Sequence, residues 1–83
     1  MSNIVLKNNL KVLRAKHNLT QEQLAERVEV TRITINYVER GKWIPSTVLS
    51  LKIARVFGLP MEEVFYLENL NAADDHAINN PKS

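Results

Sequence analysis

Arg32, Ile33, Asn36 and Tyr37 are spaced one, three and one residues apart, so they share a face if the stretch around them is helical. That face carries a guanidinium, a branched alkyl group, an amide and a phenol, and Arg40 extends it by a further turn. An ordinary solvent-facing side would carry Lys and Glu. These groups instead match the edges of base pairs: Arg bridges guanine O6 and N7, Asn bridges adenine N6 and N7, and Ile lies against a thymine methyl, each good bidentate pair discriminating by roughly 1–3 kcal/mol. Arg and aromatic residues are also enriched where proteins meet proteins, so the chemistry of the face alone leaves that second use open.

The elements that must position this face are legible around it. Thr20 with Gln23 three residues on has the form of a capping box, which starts a helix at Gln21. Leu24, Ala25 and Val28 then make one apolar stripe, with Ala25 small enough to admit a close neighbour. A second N-cap, Thr31, follows after only Glu29 and Val30, so the chain turns sharply and the next helix begins at Arg32. Its inward side is Ile35, Val38 and Glu39. Two short helices over about residues 20–40, the second presenting the polar and aromatic face, are the layout of a DNA-reading helix-turn-helix.

Periodicity organises the rest of the chain. A first helix is expected over roughly Asn8–His17, with Leu10 and Leu13 inward and Arg14 on the flank of that stripe. Glu39 sits on the inward flank of helix three, so the two opposite charges are expected to form a structural ion pair. Gly41 is placed to cap helix three, and Lys42-Trp43-Ile44-Pro45 forms the loop that follows. Trp43 has two readings, sealing the core edge or offering its indole N–H to a phosphate. Ser46 or Thr47 caps helix four, whose exposed amides suit a phosphate. Leu49, Leu51, Ile53, Ala54 and Phe57 make that helix apolar over much of its circumference, which predicts a central position. Gly58 ends it, and Pro60 suits the first residue of a short fifth helix, with Met61, Val64 and Phe65 closing the core. The β-prone runs Ile4-Val5-Leu6 and Val64-Phe65-Tyr66-Leu67 predict a small terminal sheet. An isolated two-stranded sheet is marginal in water, so Ile4, Val5, Leu6, Phe65, Tyr66 and Leu67 are expected to pair across a two-fold axis in a homodimer.

Composition bounds the function. Eighty-three residues without cysteine make one domain with a modest core and no disulfide or thiolate metal site. The net charge of +2 divides unevenly: residues 1–67 hold ten Lys and Arg against six Glu, whereas residues 68–83 hold Lys82 against Glu68, Asp74 and Asp75. A basic DNA-binding domain over 1–67 and a flexible acidic tail over 68–83 are expected, and that tail is the candidate surface for a protein partner. No signal peptide or membrane-spanning run is visible, so a soluble cytoplasmic protein is expected, and a separate effector-binding domain is not expected in the remaining length. An enzyme is not expected. His17 and His76 lack motif partners for catalysis or a metal, the only glycines are two helix stops, and no cofactor is implied.

At Leu19-Thr20-Gln21, Leu24-Ala25, Thr31, Ile35, Val38-Glu39-Arg40-Gly41-Lys42, Pro45-Ser46, Leu51-Lys52-Ile53-Ala54 and Phe57-Gly58 the sequence resembles the Cro/C1-type, phage-repressor-like helix-turn-helix regulators, also called the XRE family. The resemblance spans about residues 8–65 and implies an all-α, five-helix, lambda-repressor-like domain. It implies that Arg32, Ile33, Asn36 and Tyr37 read bases, that Gln21 contacts a phosphate and braces its base-reading neighbours, and that Thr31, Arg40, Lys42, Trp43 and Ser46 meet the DNA backbone. It also implies a partly buried salt bridge between Arg14 and Glu39. One departure is Glu29, at a turn position the family usually gives to Gly. The implied function is a sequence-specific transcriptional regulator of double-stranded DNA, a homodimeric repressor reading an inverted repeat with half-sites roughly 34 Å apart. An antitoxin-like adaptor, binding a partner protein through the tail or the termini, is the other class.

Overall fold

The computed structural model describes residues 3–69, in the order β1 (Ile4–Asn8), α1 (Leu10–Lys16), α2 (Gln21–Val28), α3 (Arg32–Glu39), α4 (Thr47–Phe57), a single 3-10 turn (Met61–Glu63) and β2 (Phe65–Asn69). Local chemistry sets most of the helix starts. The Thr20 hydroxyl accepts from the Gln23 amide at 3.0 Å while the Gln23 side chain accepts from the Thr20 amide at 2.9 Å. Thr31 accepts from Thr34 N–H at 3.3 Å, and Ser46 accepts from Leu49 N–H at 3.1 Å. Each cap satisfies a backbone donor that has no partner inside its own helix.

The helices enclose one core. Leu10 and Leu13 of α1, Leu24, Ala25 and Val28 of α2, Ile35 and Val38 of α3, and Ile53, Ala54 and Phe57 of α4 are buried together, with Val64 and Phe65 closing it from the C-terminal side. Strands β1 and β2 pair antiparallel within the chain, Ile4 opposite Asn69 and Asn8 opposite Phe65. The sheet thus clamps the two ends of the described chain together.

Four expectations are corrected. The fifth helix is a three-residue 3-10 turn, with Pro60 in an extended conformation at its cap and not in its first turn. The chain is therefore mainly helical with a two-stranded sheet, not all-α with five helices. The reason is competition: Phe65-Tyr66-Leu67 is β-prone and finds the ladder of β1 in reach. Helix one is shorter than Asn8–His17, because Asn8 belongs to β1 and its side-chain oxygen accepts from Leu10 N–H at 3.0 Å. Helix α4 is not wrapped on all sides, since Val48 and Leu51 are exposed. Finally, β2 runs to Asn69, two residues into the expected tail, and Glu68 lies 3.7 Å from Lys7 across the sheet. The rest of that tail, 70–83, with the protein-partner surface expected of it, lies outside the described residues.

Candidate nucleic-acid interface

The turn between α2 and α3 sets the direction of α3 and of its candidate base-reading face. Glu29 takes the left-handed conformation, φ 63° and ψ 45°, so the turn keeps its tight form without glycine. Val30 N–H donates back to the Ala25 carbonyl at 3.0 Å, and Glu29 N–H to Glu26 at 3.3 Å. A left-handed residue with a side chain costs about 1–2 kcal/mol. Part of that cost is offset by Lys52 of α4, whose ammonium lies 3.1 Å from the Glu29 carboxylate in an exposed pair. Sequence reading had no signal for this partner, which comes from 23 residues away.

Helix α3 buries Ile35 and Val38 and leaves Arg32, Ile33, Tyr37 and Arg40 exposed, with Asn36 partly covered. Ile33 is 57% exposed, although nothing polar about it favours solvent. The structure thus brings Arg32, Ile33, Asn36 and Tyr37 onto one outward surface. Thr31, at the head of that helix, is exposed but spends its hydroxyl on the cap.

Behind the face lies a continuous polar chain. Arg14 of α1 and Glu39 of α3 form an ion pair, bidentate through Nε to Oε2 and Nη2 to Oε1, the latter at 3.1 Å. Their side chains are only 16% and 7% exposed. Arg14 Nη1 also donates to the Leu19 carbonyl at 3.0 Å, tying the α1–α2 turn to the pair. Gln21 then donates through Nε2 to Glu39 Oε1 at 3.1 Å. Its Oε1 accepts from Asn36 Nδ2 at 3.4 Å, and Asn36 Oδ1 accepts from Arg40 Nη1 at 3.4 Å. A buried ion pair in α1 and α3 therefore reaches the outward amide of Asn36 through Gln21.

The C-terminal end of α3 is held by a residue the sequence reading passed over. Asn8 donates its amide to the carbonyls of Val38 at 3.1 Å and Glu39 at 3.3 Å, two groups at the helix end that the intrahelical ladder does not reach, the first of which also accepts from Gly41 N–H at 3.1 Å. A lone Asn between a strand and a helix carries no recognisable pattern for this. Beyond it, Gly41 takes φ 73° and Lys42 N–H returns to the Tyr37 carbonyl at 2.9 Å. Lys42 is exposed next to Trp43, which is 53% exposed on the rim of an apolar groove shared with Ile4, Val5, Leu6, Ile44 and Phe65. Ser46 caps α4 from an exposed position near that loop. Of the six terminal residues, Phe65 is buried and Val5 and Leu6 are partly so, while Ile4, Tyr66 and Leu67 stay exposed.

Among the described residues no group of His, Asp or Glu is arranged to hold a metal, and no helix is long and apolar enough to cross a membrane.

The comparisons agree with this geometry. The family model described as Helix-turn-helix matches residues 10–64. The HTH-type transcriptional regulator YgzD of Bacillus subtilis is 47% identical over 66 residues, 80% of this chain and 100% of that protein. The HTH-type transcriptional regulator MJ0272 of Methanocaldococcus jannaschii is 50% identical over 64 residues, 77% of this chain and 97% of its own length. Among solved structures, the restriction-modification controller protein C.AhdI from Aeromonas hydrophila superposes with a TM-score of 0.61 at 35% identity, covering 65% of this chain and 82% of that one. A chain of this sequence, with two capped helices around a tight turn and an outward face of base-matching groups, belongs to the Cro/C1-type helix-turn-helix family and is a DNA-binding transcriptional regulator.

Proposed function

We propose that the protein is a homodimeric repressor that reads an inverted repeat, with α3 in the major groove of each half-site. The observation that carries this reading is the outward face of α3, where Arg32, Ile33 and Tyr37 are exposed and Asn36 stands among them partly covered. Arg32 and Asn36 supply the bidentate groups for guanine and adenine, Ile33 supplies a methyl-contact surface, and Tyr37 supplies a phenol at the groove wall. Gln21, Thr31, Arg40, Lys42, Trp43 and Ser46 flank that face on the start of α2, the two ends of α3, and the loop and cap that follow. Phosphate contacts from such positions set register and carry most of the salt dependence.

The dimer reading is supported by the exposed Ile4, Tyr66 and Leu67 and by the groove that β1 shares with Trp43 and Ile44. Two five-residue strands are a marginal sheet by themselves, and a second copy would cover both this apolar surface and a sheet edge. Self-association about a two-fold axis then matches the symmetry of an inverted repeat.

Selection of bound sequences from a random duplex pool at moderate salt tests the reading, comparing wild type with Arg32→Ala and Asn36→Ala. An enriched inverted repeat that loses preference at different bases in the two variants supports it. Salt-sensitive binding without an enriched site refutes it. Placing the selected site upstream of a reporter separates repression from activation.

A further inference from the structure

We infer that Glu39, which is held away from the DNA-facing surface, is a specificity-determining residue: it sets the hydrogen-bond polarity of the Gln21–Asn36–Arg40 chain and so fixes which way the Asn36 amide faces. The inference rests on the proposed base-reading role of Asn36.

The chain Glu39–Gln21–Asn36–Arg40 contains two primary amides, each of which could be turned end for end if its neighbours permitted. They do not. A carboxylate only accepts hydrogen bonds, so the Gln21 atom facing Glu39 at 3.1 Å is its nitrogen. Gln21 Oε1 is left facing Asn36, which must answer with its own nitrogen at 3.4 Å. Asn36 Oδ1 is then left facing Arg40, and a guanidinium only donates. An obligate acceptor closes one end and an obligate donor the other, and both impose the same direction. Turning either amide would set oxygen against oxygen or N–H against N–H.

This direction has a consequence at the DNA surface. Asn36 keeps one N–H and one Oδ1 lone pair uncommitted, side by side in a fixed order. Adenine needs that combination, an N–H for N7 and an oxygen for the N6 amino group. Preorganising the amide removes the opposite presentation, whose N–H would face a carbonyl oxygen at that base edge. Arg14 enters as the group that holds the Glu39 side chain in place through two hydrogen bonds. Glu39 is thus a positioning residue acting through Gln21.

Site selection with wild type, Asn36→Ala, Glu39→Gln and Gln21→Leu tests this, with folding of each variant checked by circular dichroism. Glu39→Gln replaces the obligate acceptor by an amide that can face either way, and Gln21→Leu cuts the chain while leaving the Arg14–Glu39 pair intact. Asn36→Ala identifies the base pair concerned. At that base pair alone, both relay variants should lower the adenine preference by roughly five- to tenfold, with the preference assigned to Arg32 kept. Lost stability or a lost phosphate contact from Gln21 would weaken all positions together, so the position-specific change separates the relay from a merely structural role. If Glu39→Gln does not fold, Gln21→Leu decides. Wild-type preference retained in the folded relay variants, where Asn36→Ala loses it, overturns the relay alone. An Asn36→Ala profile identical to wild type overturns the base-reading role of Asn36 and the relay with it.

Discussion

Replacing Arg14 by Met should cost a large part of the stability this domain has. The guanidinium makes three hydrogen bonds, two to Glu39 and one to the Leu19 carbonyl, and Met retains only the aliphatic stem. Glu39, its side chain 7% exposed, keeps a single partner, the Gln21 amide. Stranding one member of a buried pair costs about 3–5 kcal/mol. At roughly 0.05–0.15 kcal/mol per residue, a chain of 83 residues has only about 4–12 kcal/mol in total. Urea unfolding followed by far-ultraviolet circular dichroism reads the difference. With a slope of about 1 kcal/mol per molar urea, the midpoint should fall by about 3–5 M or the variant should be unfolded without denaturant. The reasoning also requires that Arg14→Met combined with Glu39→Leu recover much of the loss, because no charge then remains without a partner. A single variant costing less than about 1 kcal/mol, or a double variant costing the sum of the two singles, refutes it.

Gly58→Ala isolates backbone strain, since Gly58 takes φ 67° and an added Cβ meets no atom within 4 Å. A loss of about 1 kcal/mol is expected, the left-handed cost less the reduced freedom of the unfolded chain, which lowers Tm by roughly 4–8 °C; an unchanged thermal melt would remove strain from the account of this cap. Lys42→Ala should reduce the slope of log affinity against log salt by about one on the selected site while keeping its base preferences, read by fluorescence anisotropy. A changed base preference would move Lys42 from the phosphates to the base edges.

The local signals in this chain were legible because they act over three or four residues. Thr20 with Gln23, Thr31 and Ser46 each meet a backbone amide one turn ahead, and Gly58 closes α4 in the left-handed conformation. The buried residues Leu24, Ala25, Val28, Ile35 and Val38 follow from the 3.6-residue period alone, as does the outward set around Asn36. Helix and turn chemistry of this kind needs no knowledge of distant residues, and with the spacing of the motif it was enough to point to the family.

What stayed hidden depends on partners far along the chain. The terminal sheet was legible in the β-prone runs Ile4-Val5-Leu6 and Phe65-Tyr66-Leu67, but Pro60-Met61-Glu62-Glu63 has good helix-start chemistry, and the local pattern did not show that it stops after a single 3-10 turn where the chain passes into that sheet. Val48 and Leu51 extend an apolar helix surface that the core has no room to cover on every side. Asn8 holding the end of α3, Lys52 meeting Glu29, and Gln21 meeting Glu39 each require a crossing of elements that no single-segment pattern encodes. The sequence by itself determined which residues form α3 and which side of it faces inward, since both are fixed by local hydrogen bonding and periodicity. Only the tertiary structure decided how its amides are oriented, because hydrogen-bond direction is set where the side chains of α1, α2 and α3 meet, and that meeting exists only once the core has packed.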